Sequence, residues 1–141
     1  MIEVKLQTEP IDVNGYFQKL LNPHHGGNNL FIGTIRDLTG TVKTSSIEYY
    51  AYEEMAVKEL EKLAKSVEEK YNADVVVVHR LGRLDISDIA VLVGVSTPHR
   101  NESYEGSRYI IEELKKRVPI WKKEFDEDKI RWGGIRDDGN R

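Results

Sequence analysis

EEMAVKELEKLAKSVEEKYNADVVVV, residues 53–78, decides the fold. Its first part places Ala56, Leu60, Leu63, Ala64, Val67 and Tyr71 at steps of three and four, the spacing of one apolar helix stripe. The period then collapses: Val75, Val76, Val77 and Val78 are consecutive. Such a run suits a strand covered on both faces. A helix feeding directly into a doubly covered strand requires a layered α and β domain.

Outward from this unit the alternation continues. Ile2, Val4 and Leu6 alternate with Glu3, Lys5 and Gln7, a half-buried first strand. Asp12 is a good N-cap for a short helix through Tyr16, Phe17, Leu20 and Leu21, which Pro23 stops. Residues 24–29, with two His, two Gly and two Asn, read as a loop. Residues 30–35 form a strand closed by Arg36, Asp37 and a turn at Thr39-Gly40, and residues 42–52 return as its antiparallel partner. Residues 82–87 make a hairpin-type excursion, and residues 89–95 are another Val-rich strand. A second long helix starts near Asn101 with Tyr104, Ile110, Ile111 and Leu114 inward. Glu112–Lys116 and Glu113–Arg117 are favourable pairs on its outer side. Pro119 ends it by excluding helical geometry at Val118. Residues 130–135 form a last strand, interrupted by Gly133-Gly134. The expectation is one α+β domain over residues 1–141, with a mixed, largely antiparallel sheet and two long helices.

Composition bounds the function. At 141 residues with 39% hydrophobic and 32% charged content, the chain reads as a soluble globular protein. A net charge of −3 argues against a protein built to neutralise nucleic-acid phosphates. No apolar run is long enough to span a bilayer, and the N-terminus lacks a signal peptide's apolar core, so the cytoplasm is the expected compartment. There are no cysteines, which excludes disulfides, thiolate metal sites and Cys nucleophiles. Sulfur chemistry would need sulfur delivered by another molecule.

Against this acidic background, Lys115, Lys116, Arg117, Lys122 and Lys123 crowd into a ten-residue window that also holds Pro119, Ile120 and Trp121. A solvated basic run has no need of Ile120 and Trp121, which call for burial. A chain reversal after Pro119 could aim Lys115 and Lys122 at one cavity, where a partly dehydrated amine serves proton transfer or anion binding. The plain alternative is a cationic helix end that complements the helix dipole. Arg36, His99 and Arg100 stand where strands meet loops, with a helix start after His99, and could hold a phosphate. Each Arg could equally be a surface residue paired with Asp37 or Glu102. His24-His25 lacks the spacing of a metal site, and no metal is expected. His79-Arg80 reads as a structural or interface pair. Tyr49, Tyr50 and Tyr52 could stack on RNA bases but fit core and interface packing better.

Five blocks then fall in order: FIGTIRD (31–37), YYAYEEMA (49–56), VHRLGRL (78–84), VSTPHR (95–100) and LKKRVPIWKKE (114–124). Together they resemble the MoaE family, the large catalytic subunits of molybdopterin synthase. The resemblance implies an α/β-hammerhead fold and a homodimer that binds two small ubiquitin-like sulfur carriers, making a heterotetramer. It implies a sulfurtransferase with no cofactor, in which the carrier's C-terminal Gly-Gly thiocarboxylate gives sulfur to cyclic pyranopterin monophosphate to build the dithiolene of molybdopterin. Residue by residue, it implies that Lys115 and Lys122 are catalytic. Thr34, Ile35, Arg36, His99, Arg100, Lys123 and Glu124 join them in substrate binding.

Two rivals come from other classes. A non-catalytic module for RNA or another anionic partner would use Tyr49, Tyr52 and the basic cluster. A phosphate-ester enzyme would use Lys, Arg and His without a carrier.

Overall fold

The computed structural model describes residues 1–39, 41–126 and 130–133. Twelve elements follow one another: β1 (Ile2–Gln7), α1 (Val13–Leu20), β2 (Gly27–Thr34), β3 (Leu38–Thr39), β4 (Val42–Ala51), α2 (Glu53–Tyr71), β5 (Asp74–Arg80), β6 (Gly82–Asp85), β7 (Ile89–Thr97), α3 (Arg100–Arg117), β8 (Ile120–Asp126) and β9 (Ile130–Gly133). The strands form two sheets. One is four-stranded, ordered β1-β5-β7-β2; the other is five-stranded, ordered β3-β4-β8-β9 with β6 also paired to β4. Only β1 and β5 run parallel, so the expected mixed, largely antiparallel α+β architecture holds, divided between two sheets.

The valine run explains the first sheet. Val75 and Val77 point to a core built with Ala56, Leu60, Leu63, Ala64 and Val67 of α2 and Ile110 and Leu114 of α3. Val76 and Val78 point the other way, to Tyr16 and Leu20 of α1. All four valines are fully buried. The two long helices meet where Gly106 lies, because a Cβ there would come within 2.7 Å of Val67 Cγ1 and 3.3 Å of Val95 Cγ1. Asn72, in the left-handed region at φ 52°, ends α2, and its backbone N–H bonds the Glu68 carbonyl.

Several expectations need correction. Residues 27–29 are not loop: Gly27, Asn28 and Asn29 pair with Thr97, Ser96 and Val95. Gly27 is glycine for close approach, since a Cβ would stand 2.7 Å from the Arg100 Cα. The antiparallel partner of β2 is β7; β4 joins the second sheet instead. The segment Gly82–Asp85 pairs with β4 and makes no hairpin of its own. Residues 120–126, to which the sequence reading assigned no element, are a full strand after Pro119. Tyr104 points outward, while Ser103, Gly106 and Ser107 face the core. Small residues take the inner face because α2 and β7 pass so close. Glu113 takes both Lys116 and Arg117, at 3.6 and 3.3 Å. Gly40, Gly134 and Ile135, in the expected turn and last strand, lie outside the described residues.

Candidate active site

Pro119 sets the site's geometry. Val118 is extended at φ −90° and ψ 125°, so α3 stops and β8 begins at once. Ile120, Lys122 and Glu124 then fall on one face of β8; Trp121, Lys123 and Phe125 fall on the other. The inward set is unexpected. Lys122 is 1% exposed and Glu124 is 3% exposed, whereas Trp121 is 40% exposed. The sequence reading that Trp121 calls for burial is therefore overturned. The burial signal in that segment belongs to Ile120 and Lys122.

Lys122 lies opposite Tyr49 of β4, and Glu124 lies opposite Ile47. The Lys122 ammonium is 3.8 Å from a Glu124 carboxylate oxygen. Behind Tyr49 stands the fully buried His79, its ring 4.8 Å away in an edge-on arrangement. His79 Nδ1 is 2.8 Å from the Arg80 carbonyl, to which it donates. His79 and the Lys122–Glu124 pairing were not singled out as functional in the sequence, and Tyr49 was considered only as a base-stacking residue of the RNA-binding alternative. The available signal was Lys and Glu two residues apart in a segment of period two, which places opposite charges side by side on a strand.

Lys115 occupies the last turn of α3. Half-buried, it lines a narrow apolar niche with Phe31, Val91, Val93, Ile111 and Leu114, the kind of wall along which a lysine lays its apolar stem. Phe31 belongs to β2, whose end carries the next candidates. Thr34 and Arg36 are exposed, and Ile35 between them is in the core. The Ile35 N–H bonds the Asp88 carbonyl at 3.0 Å, and its own carbonyl accepts from the Ser87 N–H at 2.7 Å. Ile35 thus fixes the backbone on which Thr34 and Arg36 are presented.

His99 and Arg100 stand elsewhere. His99 caps α3 without a side-chain bond to it, and both residues are exposed beside Gly27, at the start of β2. From Arg100 to Lys115 is about 22 Å along the helix. From Gly27 to Thr34 is a similar span, about 23 Å along the strand. Within one chain, Lys115, Thr34, Ile35 and Arg36 share one end of the α3–β2 layer, and His99 and Arg100 occupy the other.

The outer face of the second sheet is aromatic. Tyr50 and Trp132 approach to 5.9 Å between ring centroids, and Lys123 Nζ lies 5.3 Å from the Trp132 ring and 5.4 Å from the Phe125 ring. Tyr50 donates to Glu48, a bond that raises the phenol's pKa. Lys123 is therefore on the face opposite to Lys122 and Glu124.

Away from this region, His25 Nδ1 is 3.0 Å from Ser96 Oγ and 3.9 Å from Asp74. Among the described residues no group of His, Asp and Glu is arranged to hold a metal ion. No helix among them is long and apolar enough to cross a membrane.

Comparisons with known proteins bear on the family and the fold. A family model described as MoaE protein matches residues 6–117. The molybdopterin synthase catalytic subunit of Halalkalibacterium halodurans is 45% identical over 130 residues, covering 92% of this chain and 83% of that one. The Staphylococcus aureus protein of the same name is 43% identical over 135 residues, covering 95% and 91%. A crystal structure of molybdopterin synthase from Staphylococcus aureus superposes with a TM-score of 0.87 at 43% identity, covering 92% of this chain and 95% of that chain. A MoaE protein of Burkholderia ambifaria gives 0.83 at 34% identity, covering 96% and 91%. By sequence and by fold, the chain belongs to the MoaE family.

Proposed function

We propose that this chain is the catalytic subunit of a molybdopterin synthase, a sulfurtransferase of molybdenum cofactor biosynthesis, and that its chemistry is carried by Lys115 and Lys122. The observation that carries the reading is the burial of Lys122 with Glu124 on β8. A basic run serving only solubility would leave both in water. It occurs in a chain 43–45% identical to relatives named molybdopterin synthase catalytic subunit.

The sulfur arrives as the C-terminal thiocarboxylate of a small ubiquitin-like carrier ending in Gly-Gly, which suits a chain with no cysteine. The acceptor is cyclic pyranopterin monophosphate. The carrier's sulfur bonds to a pterin carbon as an oxygen leaves, and Lys122 supplies the proton to that oxygen. Water then cleaves the acyl–sulfur bond, freeing the carrier as a carboxylate, while the Lys115 ammonium stabilises the oxyanion on the acyl carbon. A second transfer completes the dithiolene. Thr34 and Arg36 form the anion-holding rim on the backbone that the buried Ile35 fixes, Glu124 lies beside Lys122 on the inner face of β8, and Lys123 reaches cargo only from the outer face.

His99 and Arg100 enter from a second copy. The equal spans of α3 and β2 allow two chains, placed antiparallel on these edges, to set one copy's Arg100 beside the other's Lys115. The working unit is then a homodimer with two carriers, a heterotetramer.

The test is sulfur transfer from loaded carrier to the cyclic pterin. Lys115→Ala and Lys122→Ala should each lower turnover by roughly 100-fold or more. Mixing Lys115→Ala with Arg100→Ala copies should restore activity in mixed dimers. Near wild-type rates for both lysine variants would remove the assignment, and no recovery in the mixture would remove the shared site.

A further inference from the structure

We propose that His25 is a positioning residue for His99 and Arg100, acting through the turn that seats their backbone. The inference rests on the shared-site reading given above, in which one copy's Arg100 serves the other's Lys115, and adds a residue which that reading does not contain.

His24 and His25 take opposite environments in the fold. His24 is exposed, whereas the His25 side chain is only 5% exposed. The His25 Nδ1 stands 3.0 Å from Ser96 Oγ on β7, and Ser96 is fully buried. The same nitrogen is 3.9 Å from Asp74 Oδ2 at the start of β5. Asn22 closes the turn beside it. Its side-chain amide donates to Asp74 Oδ2 at 3.0 Å, and its side-chain oxygen accepts from the His24 N–H at 2.9 Å. Its carbonyl accepts from the His25 N–H at 3.0 Å. The turn between α1 and β2 is thus pinned to the two interior strands of the first sheet. A buried imidazole is tolerated when its polar atoms are bonded, and such bonds are directional, so the ring fixes an orientation that an apolar side chain would not.

The pinned turn is the seat of the loop that carries His99 and Arg100. Directly after His25, the Gly26 N–H donates to the Pro98 carbonyl at 3.1 Å, and Gly27 pairs with Thr97. A Cβ on Gly27 would stand 2.7 Å from Arg100 Cα and 2.8 Å from the His99 carbonyl carbon, so the glycine backbone lies against the peptide joining the two candidates. The Thr97 hydroxyl donates to the His99 carbonyl and the Ser103 hydroxyl to the Arg100 carbonyl, each at 2.6 Å. The His99–Arg100 backbone is therefore held by two hydroxyls and by a glycine seat, and His25 orients the seat. A long side chain amplifies a backbone error. A shift of about 1 Å at the guanidinium is enough to spoil a two-pronged contact with a phosphate.

Steady-state kinetics with saturating loaded carrier, followed by mixing of variants, tests the role. His25→Phe keeps a ring but removes the polar nitrogen. It should raise the KM for the cyclic pterin about tenfold and leave kcat within roughly threefold, because anchoring is weakened while the lysines are untouched. His25→Asn, whose amide reaches the place of Nδ1, should recover most of the loss. Ser96→Ala should shift KM in the same direction, and it serves as the working variant if the Phe protein fails to fold. His24→Ala should match the parent. Mixing then reads which copy's site His25 serves. With Lys115→Ala copies, His25→Phe should form mixed dimers holding one intact site, so turnover with the parent's KM appears; with Arg100→Ala copies neither site is intact and KM stays high. An unchanged KM in His25→Phe, an equal effect from His24→Ala, or recovery with Arg100→Ala copies in place of Lys115→Ala copies would overturn the proposal. If Lys115→Ala and Arg100→Ala fail to complement each other, the shared site falls and this inference with it; if they complement while His25→Phe does not follow the Arg100→Ala pattern, the role of His25 alone falls.

Discussion

In the four-stranded sheet, Val75 to Val78 turn alternately toward α2 and α3 on one side and α1 on the other, and every one is covered by apolar atoms. In the five-stranded sheet, β8 turns Lys122 and Glu124 inward and leaves Trp121 half in water, with Trp132 of β9 66% exposed nearby. The first sheet is held by the area it removes from water, at roughly 25 cal/mol per Å². The second buries charges whose desolvation cost their mutual attraction offsets only in good geometry. Stability resides in the first layer, while the second carries the buried charged pair to which a chemical role is proposed above, at some expense to its own stability.

Substitutions can break or sharpen that contrast. The largest effect should come from halving the charged pair. Glu124→Leu leaves an ammonium buried without this carboxylate and should cost about 3–5 kcal/mol, whereas Lys122→Met combined with Glu124→Leu should be more stable than either single variant. Urea unfolding of the three proteins reads this directly, and the double variant should be inactive even where it is stable. A double variant weaker than both singles would refute the view that the pair is kept for its chemistry.

In the first sheet the same experiment should behave differently. Leu60→Ala removes a fully buried side chain packed on the valines and should cost about 2–5 kcal/mol. Activity per folded molecule should remain near that of the parent below the lowered Tm. A loss of turnover in the still-folded protein would show that the two layers are not separable.

The smallest effect lies at the edge of the first sheet. Burial pushes the Asp74 carboxyl up, but the Asn22 and Met1 hydrogen bonds and the nearby charges of Met1 and His25 overcome it and hold the group below its ordinary value. Its stabilising share is complete above the ordinary carboxylate range and is lost as pH falls through the lowered folded value. The Met1 ammonium is raised, chiefly by hydrogen bonds to Glu68 and Asp74, so its share is complete below 8.0 and is lost as pH climbs through the folded value. Asp74→Asn should therefore lower Tm modestly near neutrality and flatten the loss on the acid side. Thermal melts at acid and neutral pH with unequal differences between parent and variant would agree; equal differences would not.

How far the sequence carried follows the same division. Helix α2 and strand β5 were legible because apolar period and apolar burial coincide there. The five blocks located Lys115, Arg36, His99 and Arg100 by resemblance, but no periodicity reveals that α3 separates the last two from the first. β8 was illegible as a strand because two residues of its buried face, Lys122 and Glu124, are charged while its outer face carries Trp121 and Phe125, the reverse of the usual pattern. The destination of β4 was missed for another reason. Pairing partners are chosen by long-range fit: a Cβ on Gly33 would meet Val91 of β7, one on Gly94 would meet Leu20 of α1 and Leu30 of β2, and one on Gly27 would meet Arg100.

One consequence follows from Gly106. With Val67 and Val95 against its bare backbone, α3 is seated directly on α2 and β7. The helix is a spacer whose length sets the separation between its two cationic tips. In the paired arrangement proposed above, that spacer would register both reaction chambers at once. Inserting a single residue into it would swing Lys115 by about 100° around the axis and spoil the two chambers together.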